Sequence, residues 1–163
     1  MEARAYLEAT VAANPIPDRL AATYRHADLK TERLPFTVKV VASEADLEKA
    51  VFIRHQAYAR HLPGVAATLD KPEPLDLDGD SVVILAESKL DGSPVGTMRI
   101  QSNRSRMLAL EHSVDLPDWL QGRSMIEITR FGVAEGRIGR LVKTVLVKAG
   151  FQHALLHDVE WIV

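Results

Sequence analysis

The stretch Met125-Ile126-Glu127-Ile128-Thr129-Arg130-Phe131-Gly132-Val133 decides how this chain reads. Period-two alternation sets Glu127, Thr129 and Phe131 on one face, and Ile126, Ile128, Arg130 and Gly132 on the other. Apolar side chains on both faces mark a central, buried strand. Yet that strand carries two ionisable groups, Glu127 and Arg130. A local bulge would turn either side chain, so alternation alone does not settle where they point. They read either as functional groups of a site or as part of a structural ion network holding a helix to the sheet.

Downstream, Gly136 and Gly139 open a helix expected from Ile138 to Leu156, with Leu141, Val142, Val145, Leu146 and Ala149 following its period. Glycines between a strand and a helix free backbone amides at the helix N-terminus, where a pyrophosphate fits, and Arg137 and Arg140 add positive charge. The motif is neither G-x-G-x-x-G nor a P-loop. Val159 to Val163 is expected as a last strand.

Upstream, Val95 to Gln101 and Ser81 to Ser88 form a hairpin around Asp91-Gly92-Ser93-Pro94. Arg99 sits inside its second strand, where on its own it reads as a solvent-face residue. Residues 64–80 lack periodicity and carry Asp70, Glu73, Asp76, Asp78 and Asp80. A calcium loop does not fit, because Ser81 stands where its glycine belongs; these acids pair with the arginines or are solvated. Before them, Ser43 caps a helix expected to run to about His61, with an apolar stripe of Leu47, Ala50, Val51 and Tyr58. Arg54 falls inside that stripe. A guanidinium stays protonated, so it either meets carboxylates or carbonyls there or snorkels along the helix flank to water. Phe36 to Val41 is the first strand, and Pro117 to Gly122 reads as a helical turn. Residues 1–35 are expected as a helical appendage, with helices at 2–13 and 18–26, before the domain at 36–163. Strands interleaved with helices give an α/β mixed sheet with helices on its faces.

Composition narrows the chemistry. The chain has 163 residues, 47% apolar, with a formal charge of -2 and no cysteine. A disulfide scaffold, a thiolate zinc site and a cysteine nucleophile are excluded. The charge argues against a nucleic-acid partner. No apolar run approaches the roughly 18 residues that cross a bilayer, and Met1-Glu2-Ala3-Arg4-Ala5-Tyr6 is not expected to be a secretory signal, since no basic stretch followed by an apolar one is present there. A cytoplasmic protein is expected. The histidines lack metal-ligand spacing, so no metal site is expected, and no serine lies in a G-x-S-x-G elbow.

Arg54-x-x-x-Tyr58, the acids before a strand, Arg99 in the next hairpin and Glu127-Ile128-Thr129-Arg130-Phe131-Gly132-Val133 together resemble the acyl-homoserine lactone synthases and the related long-chain N-acyl amino acid synthases. Both are families of the GNAT acyltransferase superfamily. The lactone synthases carry R-x-x-x-F, paired acids, a hairpin arginine and E-S-S-R-F-x-V in this order. The resemblance covers about residues 36–163.

It implies a GNAT-like fold and a fatty acyl transfer from a pantetheine thioester, on acyl carrier protein or CoA, to a small-molecule amine. Glu127 would be the base, with Thr129 and Arg130 beside it in the catalytic set. Arg54, Tyr58, Asp76 or Asp78, Arg99 and Phe131 would shape the acceptor pocket, Arg54 meeting Glu127 there. Val133, Arg137, Gly139 and Arg140 would face the thioester, the co-substrate, with no cofactor held permanently. The lactone synthases place a tryptophan soon after R-x-x-x-F. Here Ala59-Arg60-His61-Leu62-Pro63-Gly64 has no aromatic residue, and Tyr58 replaces phenylalanine, which favours an amino acid over S-adenosylmethionine as acceptor. Acetyl-CoA members show R/Q-x-x-G-x-G/A, whose first and last elements fail at Gly136 and Leu141; this favours acyl carrier protein as partner. The superfamily continues past its fifth strand, so the C-terminal part is expected to be missing, leaving Trp161-Ile162-Val163 as an edge for homodimerisation. A lactone synthase and a non-catalytic thioester-binding domain of the same fold are the alternatives.

Overall fold

The protein is described by a computed structural model covering residues 34–163. The helices expected at 2–13 and 18–26 lie outside the described residues. β1 (Phe36–Val40), β2 (Ser81–Ser88), β3 (Pro94–Ser102), β4 (Met125–Val133) and β5 (Trp161–Ile162) form one sheet in that order. The first four strands are antiparallel in sequence, and β5 runs parallel to β4. Turn chemistry fixes the β2–β3 hairpin: Asp91 accepts the Ser93 N–H at 3.1 Å, and Gly92 takes a φ of 70°.

One helix covers each face. α1 (Glu44–Ala59) starts at Ser43, whose hydroxyl accepts the Asp46 N–H. Its Leu47, Ala50 and Val51 pack on Val83 and Leu85 of β2. α4 (Gly136–Leu156) lies on the opposite face, with Val142 and Leu146 over Gly96 and with Gly150 over Met98 and Ile128. Gly132 sets the approach of α1 to β4. A Cβ there would stand 2.9 Å from the Ala57 Cβ and 3.3 Å from the Arg54 Cα, so only hydrogen allows the helix this close. Gly139 is equally constrained, since an added Cβ would overlap the Ala134 carbonyl.

The strand bounds of β2 and β4 match the sequence expectation; other bounds differ for local reasons. α1 stops at Ala59, before His61, because Leu62 precedes Pro63 and that position disfavours helical backbone. The segment expected as an irregular loop holds α2 (Pro63–Ala66), where Pro63 opens the helix, and a 3-10 turn, Pro74–Asp76. In the latter, the Asp76 carboxylate accepts the Glu73 N–H at 2.9 Å. The helical turn of the β3–β4 connection is α3 (Ala109–Ser113), whereas Pro117–Gly122 forms a turn closed on the Pro117 carbonyl. β5 is confined to Trp161–Ile162, although Val163 still bonds to Ile126 and Ile128.

β4 departs from strict alternation. Thr97 pairs with Gly132 and Arg99 with Thr129, so Arg130 and Phe131 together oppose Met98. This is a β-bulge, and Arg130 takes a φ of 53°, a left-handed conformation uncommon for a side chain of its size. The bulge turns Arg130 onto the α1 face, against the alternation that set it opposite Thr129.

Candidate functional site

Three arginines from three elements converge on the α1 face. Arg54 leaves α1, Arg99 leaves β3, and Arg130 leaves the bulge of β4. Arg54 and Arg99 are 0% and 2% exposed. Arg99 is thus a core residue, correcting the expectation that it faces solvent from the hairpin. The carboxylates that meet these arginines are Glu73 and Asp76, flanking Pro74.

The geometry is that of paired forks. Arg54 grips Asp76 through Nη1 and Nη2, both at 2.8 Å, and reaches Glu73 at 3.2 Å. Arg130 grips Glu73 through Nε and Nη2, both at 2.6 Å. Arg99 bridges the two acids, with Nη1 at 3.1 Å from Glu73 and 3.2 Å from Asp76, while its Nε donates to the Thr129 hydroxyl at 3.3 Å. Bidentate pairs like these are strong and directional.

The acids are held ionised. The Arg130 bonds are the main force keeping the Glu73 carboxyl below its ordinary range, outweighing burial, with Arg99 and Arg54 adding to them. Burial pushes Asp76 upward, but the Arg54 bonds, the Glu73 amide and the neighbouring charges leave it below its ordinary value. Burial lowers Arg99, and the Glu73 bonds raise Arg130, beside which the Tyr58 phenol lies. Three guanidiniums therefore face two carboxylates. One positive charge is in excess in a site largely shielded from water, where it attracts an anion strongly.

Glu127 stands next to this network without joining it. It is opposite Gln101 in register and on the face of Arg99 and Thr129, roughly 7 Å along the strand from Thr129. Its carboxylate accepts the Ala109 N–H at 3.1 Å. The expected meeting of Arg54 with Glu127 is corrected: Arg54 is satisfied by Asp76 and Glu73. Asp78 is also corrected, because it turns away from the network and pairs with Arg106 at 3.0 Å. Glu73 was missed as an individual site residue. Its signal was the need of three in-strand or in-helix arginines for more carboxylate than one aspartate supplies.

The remaining sequence candidates fall elsewhere. Phe131 is half-buried on the bulge. The Val133 carbonyl accepts Arg60 Nη2 at 2.6 Å. Arg137 and Arg140 are exposed in the first turns of α4, with Gly139 buried between them. There, at the end of α1 and the β4–α4 turn, an open groove of about 470 Å³ is lined by His55, Gln56, Ala59, Arg60, Ala134 and Glu135. It lies beside the donor-side candidates, whereas the titratable chemistry gathers at the arginines. Among the described residues, no helix is long and apolar enough to cross a membrane.

An antiparallel meander with a bulged fourth strand, a parallel fifth strand and a helix on each face is the fold of the GNAT acyltransferases. The chain superposes on the N-acyl amino acid synthase FeeM from uncultured soil microbes with a TM-score of 0.58 at 14% identity, over 78% of this chain and 69% of that one. It is similar to an aminoglycoside acetyltransferase from an uncultured soil metagenomic sample, with a TM-score of 0.55 at 17% identity, over 78% and 77% of the two chains. Glucosamine-6-phosphate N-acetyltransferase from Arabidopsis thaliana gives a TM-score of 0.50 at 10% identity, over 78% and 80%. These likenesses show the fold. No protein-family model and no curated protein matches the sequence.

Proposed function

We propose that the chain is an N-acyltransferase that moves a fatty acyl group from a pantetheine thioester to the amine of an amino acid. The observation that carries this reading is the single excess positive charge buried beside Glu127. Such a charge selects an acceptor with a carboxylate, and Glu127 next to it suits the ammonium of the same molecule.

Glu127 takes a proton from the ammonium, directly or through a water, freeing the nitrogen lone pair. The nitrogen attacks the thioester carbonyl, and the bulged β4 backbone offers N–H groups to the developing oxyanion. As the tetrahedral intermediate collapses to the amide, the attacking nitrogen gives up its second proton, and the expelled pantetheine thiolate takes up that proton to leave as the free thiol. Thr129 and Arg130 hold the reacting face of β4, while Arg54, Tyr58, Asp76, Arg99 and Phe131 shape the acceptor side. Val133, Arg137, Gly139 and Arg140 border the donor path, Arg137 and Arg140 offering exposed cations to its phosphate. The donor is a long-chain thioester of acyl carrier protein or of CoA, and the transferase unit spans residues 36–163.

The full chain, incubated with fatty acyl thioesters of acyl carrier protein or CoA and an amino-acid mixture, is expected to release free thiol. Glu127→Gln should lower kcat by about two orders of magnitude, the scale of a lost general base. Full activity in that variant would refute the assigned role. Release with S-adenosylmethionine alone would favour a lactone synthase, and thioester binding without turnover would favour a non-catalytic domain.

A further inference from the structure

Two buried donors in the arginine-rich face have no protein partner among the described residues. Arg99 uses Nε on Thr129 and Nη1 on the acids, which leaves Nη2 free. Two residues along β3, on the same face, Gln101 is 6% exposed, and no described group bonds its side-chain amide. Neither Arg99 Nη2 nor the Gln101 amide is sealed from solvent, unlike the buried and unpartnered Arg54 Nε and Ser81 Oγ. Both groups are therefore reachable from solvent with no described protein partner to displace, so a ligand that arrives from outside the fold can bond them. Cross-strand neighbours narrow what that partner is. Gln101 is opposite Glu127 on one side and opposite Ser81 on the other. The order along the face is thus a cation, a neutral donor and, beside the latter, a carboxylate held by the Ala109 amide.

We infer that Gln101 is the specificity-determining residue for the acceptor's carboxylate. One carboxylate oxygen takes Arg99 Nη2, the other takes the Gln101 Nε2 amide, and the ammonium on the adjacent carbon turns to Glu127. The substrate class is therefore an α-amino acid with both groups free. This inference rests on the acyltransfer reading and deepens it. A neutral donor also separates the positive network from Glu127, so it contributes directionality to the carboxylate without adding a charge that would compete for the Glu127 carboxylate.

The test is steady-state thiol release by the full chain. An amino acid, its carboxamide and its decarboxylated amine serve as acceptors, for wild type, Gln101→Met and Ser81→Ala. Gln101→Met keeps the side-chain shape and removes both amide atoms, and thermal melting verifies that it folds. Loss of one hydrogen bond to a charged group predicts a KM for the amino acid at least about tenfold higher with kcat within about threefold. The preference for amino acid over carboxamide should shrink by the same factor. Ser81→Ala should behave as wild type. Equal KM in wild type and Gln101→Met overturns the inference, as does Ser81→Ala reproducing Gln101→Met, which would make Gln101 a mere partner for the Ser81 hydroxyl. Wild-type transfer with no preference for a carboxylate overturns it while leaving acyltransfer standing. No transfer to any amine, together with no change in melting temperature on adding the amino acid, removes both.

Discussion

Replacing Arg54 by methionine removes a guanidinium that is 0% exposed and makes three bonds to carboxylates, two of them to Asp76, which is itself 0% exposed. Breaking one side of a buried pair costs about 3–5 kcal/mol, because the other charge stays in place uncompensated. Here Arg99 still touches Asp76 at 3.2 Å, which sets the expected loss near the lower end, about 3 kcal/mol. Urea unfolding of the full chain should show that loss, and the melting temperature should fall by roughly 10 °C. Asp76→Leu alone leaves Arg54 with only its longer bond to Glu73 at 3.2 Å and should cost a similar amount. The pair Arg54→Met with Asp76→Leu removes one charge of each sign and leaves Arg99 and Arg130 facing Glu73. It should therefore be less destabilised than the sum of the single variants by at least about 2 kcal/mol. It should also retain the excess positive charge that Arg54→Met alone abolishes. Strict additivity, or a loss below about 1 kcal/mol in Arg54→Met, would refute the network as drawn.

Asp78→Ala should change stability by less than about 1 kcal/mol and leave the acceptor KM unchanged, since Asp78 serves only a partly exposed pair with Arg106. Gly132→Ala should destabilise by about 1–3 kcal/mol in urea, because the new methyl presses on Ala57 and on the Arg54 backbone; an effect near zero would mean that α1 is free to shift. Burial, aided by the charges of His157 and Arg104, pushes His153 down to about 4 from 6.5. Between those values the unfolded chain takes up a proton that the folded chain refuses, so stability falls as pH drops through this window and is unaffected above it. His153→Gln should flatten that slope by on the order of 1 kcal/mol at pH 5, discounted for the ring's partial exposure, as read from melting at pH 7.5 and pH 5.

The sheet was legible where alternation and turn chemistry agree. Asp91-Gly92 and the flanking runs define the β2–β3 hairpin, and Met125–Val133 matches β4 residue for residue. Arg54 was legible as an anomaly, because a charge inside an apolar stripe demands a partner. Which partner it takes was not. Glu73 and Asp76 sit in a segment with no period, where Pro72 and Pro74 and a 3-10 turn set side-chain directions that no alternation rule reaches. Asp76 and Asp78 differ by two positions, yet one meets Arg54 and the other Arg106. A bulge in this strand was open to the reading but its position was not: Arg130 itself takes the left-handed backbone, so no glycine marks the place. In the sequence, Gln101 is only the end of a hairpin strand, and its burial is what singles it out.

The most direct measurement is the KM of the wild-type chain for an amino acid against its carboxamide, with one long-chain acyl thioester as donor and free thiol as readout. One uncompensated guanidinium charge predicts a KM at least about tenfold lower for the free acid, at similar kcat. Indistinguishable KM values, or a lower one for the carboxamide, would contradict the claim that the arginine cluster receives the carboxylate of the acceptor.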